Sequence, residues 1–178
     1  MAGTTKKLAA SALLITLDVV LTRILAINTP LMKIGLGFAP VALCALLFGP
    51  WWTGLVAALG DIVGSLLLPT GAYFPGFTLT AAGTGILFGL CLYGRGKALW
   101  PPLLAAVLNC LLISWLANTA MIAYISGAAF SGLLAARAVQ LAVMLPVQAL
   151  VLIWLTRSTT VQKLLVQFHE PPSSRREG

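Results

Sequence analysis

Between Leu8 and Thr156 the chain runs through long, unbroken apolar stretches separated by short breaks. No water-facing surface can be made from such a sequence. Only 8% of residues are charged, against about a quarter in a soluble domain. A cytosolic enzyme, a disordered chain and a nucleic-acid-binding domain are thereby excluded, despite a net charge of +7. The runs are too long and continuous for the alternating strands of a membrane barrel. At about 20 residues per crossing, 178 residues hold roughly six helices. The expected fold is all-α: a polytopic bundle of six transmembrane helices in a lipid bilayer.

The expected spans are Leu8–Ile27, Ile34–Phe48, Trp51–Leu68, Phe77–Tyr93, Trp100–Tyr124 and Ala129–Thr156. They form one transmembrane domain over 1–157, followed by a polar tail over 158–178 in which Pro171–Gly178 reads as disordered. The first run is too long for a signal peptide and lacks a clear cleavage site. Lys6, Lys7, Arg95, Lys97, Arg157, Lys163, Arg175 and Arg176 all fall on one side of a six-span chain. By the positive-inside rule both termini are cytoplasmic, and the charge is mainly a topology signal.

Small residues recur along the helices: Gly60 and Gly64, Gly85 and Gly89, Ala12 and Thr16. Without water between helices, close backbone approach drives association, so these faces are expected to pack inside the bundle or dock another membrane protein. Cys44, Cys91 and Cys110 lie in apolar runs and read as small buried residues. Most tryptophans lie near span ends, as interface anchors do.

A charge within hydrocarbon is costly and marks function by default. Arg23, Lys33, Asp61 and Arg137 lie on four spans, all in the outer half; Asp61 and Arg137 are each roughly 10 Å deep. Three cations against one anion suit an anionic ligand, and a guanidinium suits a carboxylate. The plainer alternative pairs Asp61 with Arg137 and leaves Arg23 reaching outward. Asp18 is deeper and reads as a structural partner. The outer loop Pro69–Thr78 offers Tyr73, Phe74 and Phe77 as flat faces, with Thr78 placed as a helix cap. Asn109 and Asn118 suit interhelical hydrogen bonds. The sole histidine, His169, lies in the tail, and no metal-ligand, nucleophile or phosphate-loop motif occurs. Neither an enzyme nor a cofactor or metal site is expected.

These residues resemble the folate-specific substrate-binding (S) component of energy-coupling factor (ECF) vitamin transporters. The resemblance rests on Thr22-Arg23, Lys33 to Phe38, Leu47 to Pro50, Ala58 to Gly64, Pro69 to Thr80, Gly85, Arg137 and Met144 to Pro146. It is dense over spans one to four and sparse in span six. It implies a bacterial plasma-membrane subunit that binds folate at its outer side and has no ATPase of its own. A transmembrane coupling protein and two ABC ATPases are the implied partners. Arg23, Lys33, Asp61, Tyr73, Phe74, Phe77, Thr78 and Arg137 are the implied ligand contacts. In such a site Asp61 accepts from the pterin, the aromatics stack on the rings and the cations meet the glutamate carboxylates. Ala12 and Thr16 stand for the small Ala-x-x-x-Ala face that docks the coupling protein, and Gln140 replaces a common Lys. A queuosine precursor, thiamine or riboflavin is the alternative substrate. Outside this class stand a lipid- or prenyl-modifying enzyme, whose clustered acids or histidines are missing, and a ligand-free assembly subunit.

Overall fold

The computed structural model describes residues 2–28, 33–69, 73–95, 98–127 and 129–169, without the side chains of 2–3, 27–28, 33–34 and 169. Among the described residues the fold is all-helical apart from one pair of two-residue strands. Helix α1, Ala2–Val19, runs into a π-helical turn, Val20–Ile24. Two short strands, Ile27–Asn28 and Lys33–Ile34, then pair antiparallel. Helices α2 (Phe38–Phe48), α3 (Pro50–Leu67) and α4 (Pro75–Leu92) follow. Trp100–Ser126 is one helical rod in three parts: α5 (Trp100–Leu108), a π-helical stretch (Asn109–Ala117) and α6 (Asn118–Ser126). The long α7 (Phe130–Arg157) precedes α8 (Thr159–His169). Among the described residues, α3, α4, the Trp100–Ser126 rod and α7 are each long and apolar enough to cross a membrane. The chain is a multi-pass membrane protein.

Gly49 takes a left-handed φ of 82° between α2 and α3, and Pro50 opens α3 where a missing N–H costs nothing. A Cβ on Gly89 would overlap the backbone of Pro50, and one on Gly85 would lie 2.6 Å from the Thr53 carbonyl. The glycine pair on α4 is therefore an intramolecular seat for α3. Gly60 and Gly64 receive side chains from α1 instead: Asp18 against the first, Arg23 and Val19 against the second.

The end of the bundle that holds the N-terminus and α8 is packed solid. Ala42, Ala45, Phe88, Ala105, Ala106 and Leu152 are fully buried there, and Val161 of α8 joins them. Lys7 sits 4.1 Å over the ring of Trp52, whose indole N–H donates to Ser11 at 2.9 Å. The rings of Phe48 and Phe168 meet edge-to-face at 5.4 Å. The opposite end is hollow.

Three details differ from the sequence expectations. The second helix begins at Phe38 rather than Ile34, because Lys33–Ile34 pairs as a strand. Residues 159–169 form a helix, since Val161, Leu164, Leu165 and Phe168 share one face, from which Val161 and Leu165 reach the core and Phe168 meets Phe48. Expected disorder at Pro171–Gly178 lies outside the described residues. Thr78 is no helix cap: α4 starts at Pro75 behind Phe74, which leaves the Thr78 hydroxyl free to cross to α3.

Candidate ligand-binding cavity

The hollow end holds a cavity of about 440 Å³. It is lined by α1 and its π turn, α2, α3, α4, the Trp100–Ser126 rod and α7. Both π-helical stretches border it. Such π stretches are frequent at functional sites, and Arg23, Asn109 and Cys110 on them line the wall. Nothing in hydropathy or spacing marks these turns.

Of the residues singled out in the sequence, Arg23, Asp61, Tyr73, Phe74, Phe77 and Arg137 all line this cavity. Thr78 joins them through a hydrogen-bond chain. Its hydroxyl donates to Asp61 Oδ2 at 2.8 Å and accepts from Tyr73 Oη at 3.0 Å. Arg23 Nη2 reaches Asp61 Oδ1 at 3.3 Å and Ser65 Oγ at 2.9 Å, and Ser65 donates to the Asp61 carbonyl. Thus Asp61 pairs with Arg23, not with Arg137. The physical reason is Gly64: with no side chain there, Arg23 can cross from α1 to α3. The side chain of Lys33 lies outside the described residues.

Arg137 stands apart. It is only 4% exposed. Its Nε donates to Gln140 Oε1 at 3.2 Å and its Nη1 to Thr119 Oγ1 at 3.0 Å. Both partners are neutral. Among the described residues, no carboxylate lies within ion-pair distance of it.

Polar groups continue down the wall. Thr80 donates to Asn118 Oδ1 at 2.9 Å, and Thr84 to Asn109 Oδ1 at 3.0 Å, the interhelical bonds expected of the two asparagines. Asp18 accepts from Thr22 at 2.9 Å, a bond within the end of its own helix. Sequence reasoning passed over Thr80, Thr84, Thr119 and Gln148, because single polar residues in apolar runs carry no periodic signal, and it read Cys110 only as a small buried residue. Aromatic faces crowd the mouth: Phe74 packs on Phe77 at 6.2 Å and on Tyr124 at 6.0 Å between centroids. No group of three or more potential metal ligands occurs among the described residues.

Comparison with known proteins agrees with this architecture. Residues 2–157 match the family model described as ECF-type riboflavin transporter, S component. The folate transporter FolT of Clostridium novyi is 39% identical over 141 residues, 79% of this chain and 82% of that protein. FolT of Leuconostoc mesenteroides is 33% identical over 110 residues, 62% of this chain and 59% of that protein. A crystal structure of FolT bound with folic acid superposes with a TM-score of 0.81 at 31% identity, covering 85% of this chain and 93% of that one. A match over nearly all the helical part of the chain is membership: the chain belongs to the S components of ECF-type transporters, substrate-binding subunits and not enzymes.

Proposed function

We propose that this chain is a high-affinity folate-binding subunit, which captures the vitamin in the cavity and hands it inward when coupled to its transporter. The observation that carries the reading is Arg137. A guanidinium buried among neutral partners is unstable unless a ligand brings the missing negative charge. Folate brings carboxylates, and its flat rings suit the aromatic mouth. Its carboxylates meet Arg137, with Arg23 and Lys33 nearby. Tyr73, Phe74 and Phe77 stack on its rings, while Asp61 and Thr78 supply polar contacts. FolT relatives and the folic-acid-bound FolT structure support the same choice.

Riboflavin is a second reading, favoured by the description of the family model. It carries no carboxylate and leaves Arg137 uncompensated. Thiamine, a cation, fits less well still. Titrating purified protein in detergent with folic acid and riboflavin in parallel, by calorimetry, separates these readings. Saturable one-to-one binding of folic acid is expected; saturable riboflavin binding with no folic acid binding overturns the assignment.

The chain crosses a bacterial plasma membrane six times as one substrate-binding domain, with both termini and α8 in the cytoplasm and the cavity mouth outside. The side distribution of Lys and Arg supports this orientation. Its partners are a transmembrane coupling protein and two ABC ATPases. Ala12 and Thr16 are exposed on α1 and offer the docking face; the Thr16 hydroxyl bonds back to the Ala12 carbonyl at 3.0 Å, so the face stays small and apolar.

A further inference from the structure

Gln148 is 2% exposed and lines the cavity. It lies three helical turns further along α7 than Arg137, about 16 Å deeper at 1.5 Å per residue. Its neighbour Cys110 fixes how the amide is turned: the thiol donates to Gln148 Oε1 at 2.8 Å. That leaves the amide N–H groups on the other side. Among the buried side-chain atoms described, Gln148 Nε2 is the one without a hydrogen-bond partner. A buried amide donor left unsatisfied is costly, and native structures keep such groups for a reason. Around it Thr84, Asn109 and Cys110 supply hydroxyl, amide and thiol; the Asp18 carboxylate also lines the cavity, from α1, and the cationic groups stand higher, at Arg23 and Arg137.

We propose that Gln148 reads the heterocycle of the ligand: its Nε2 donates to the 4-oxo oxygen of a pterin that enters first and rests at the deep end of the cavity. The inference rests on the folate reading above. An elongated ligand with a neutral polar ring at one end and carboxylates at the other meets two different levels of the cavity. Arg137 holds the carboxylate end and Gln148 meets the pterin, so the ring left for Tyr73, Phe74 and Phe77 is the benzoate. Cys110 acts as a positioning residue, since it prevents the amide from presenting its carbonyl instead. A donor at this point also discriminates. Folic acid offers an acceptor at position 4, whereas aminopterin, otherwise identical, offers an amino group and sets donor against donor.

The test is the affinity of purified protein for folic acid and for aminopterin, measured by calorimetry on wild type, Gln148→Met, Gln148→Glu and Cys110→Ala. Wild type is expected to prefer folic acid at least tenfold. Gln148→Met should weaken folic acid ~10- to 100-fold and aminopterin less than threefold, the effect of one buried hydrogen bond. Its thermal midpoint should not fall, because an amide whose buried N–H groups lack a partner has been replaced by an apolar chain. Gln148→Glu is nearly isosteric and should invert the preference, and it serves if the Met variant does not fold. Cys110→Ala, which lets the amide turn, should cost folic acid a few-fold. Unchanged folic acid affinity in Gln148→Met, or equal losses for both ligands, overturns the assignment and leaves the folate reading standing. Failure of wild type to bind folic acid at all overturns both.

Discussion

Replacing Arg137 by Met separates ligand recognition from folding more cleanly than any other change. In the empty protein two effects oppose each other. A buried charge without a counter-charge is removed, which stabilises. The Thr119 hydroxyl loses its Arg137 bond and Gln140 loses one of its bonds, which costs about 1–3 kcal/mol where a buried group is left unsatisfied. Met fills most of the vacated space, so the empty variant should stay folded with a thermal midpoint near that of wild type. In the folate complex only the loss remains. Truncating one partner of a buried charge pair costs about 2–5 kcal/mol, a fall in affinity of about 30-fold to several thousand-fold. The assay is paired: calorimetric Kd for folic acid, and thermal unfolding in detergent with and without it. The ligand-induced rise in midpoint should collapse while the ligand-free midpoint holds. Arg137→Lys keeps the charge without the planar fork, so it should fall between the two. A variant that binds folic acid within threefold of wild type refutes the reasoning and makes Arg137 a structural residue. A ligand-free midpoint that drops steeply refutes it differently, because the guanidinium would then be compensated within the protein.

Three further outcomes are expected. Asp61→Asn removes the ion pair that anchors Arg23 and should weaken folic acid about tenfold in the same titration, with a lower thermal midpoint; a change in midpoint alone would confine Asp61 to holding Arg23. Gly89→Val forces a side chain into the backbone of Pro50 and should abolish a monodisperse peak on size exclusion, whereas Gly132→Ala, which points into open space, should leave the midpoint unchanged. Ala12→Leu with Thr16→Leu enlarges an exposed face without touching the cavity, so folic acid affinity of the isolated subunit should persist while co-purification with the coupling protein is lost.

The parts of this fold legible in the sequence are those that hydrophobic length and backbone punctuation dictate. Gly49-Pro50 marks the break before α3, and Trp51–Leu68 as expected differs by one residue at each end from Pro50–Leu67 as found. Arg23, Asp61 and Arg137 stand out because charges are so few, and their convergence on one cavity follows from similar depths on helices that must pack together. Pairing is a different matter. Depth alone cannot say whether Asp61 meets Arg23 or Arg137; the choice turns on Gly64, which lets Arg23 cross to α3. Gln148 is illegible for the same reason. On a helix that is apolar all round, no period tells which face looks inward. For α8 the signal was present: Val161, Leu164, Leu165 and Phe168 have helical spacing, masked by the polar composition of the tail around them.

The two guanidiniums of the cavity give it a direction. Arg23 is balanced by Asp61 on the α1–α3 wall, and Arg137 faces neutral groups on the α7 wall. An anionic group entering the mouth is therefore drawn across to α7 rather than held midway, where the paired charges largely cancel. Moving Asp61 off Arg23 would remove that bias. In Asp61→Asn, both walls become cationic, and the carboxylate end of the ligand has two competing seats. Such a variant should lose selectivity between mono- and dicarboxylate folate analogues faster than it loses affinity for folic acid, a ratio measurable by competition. An unchanged ratio would mean that Arg23 never competes, and that the α1–α3 wall takes no part in sorting charge.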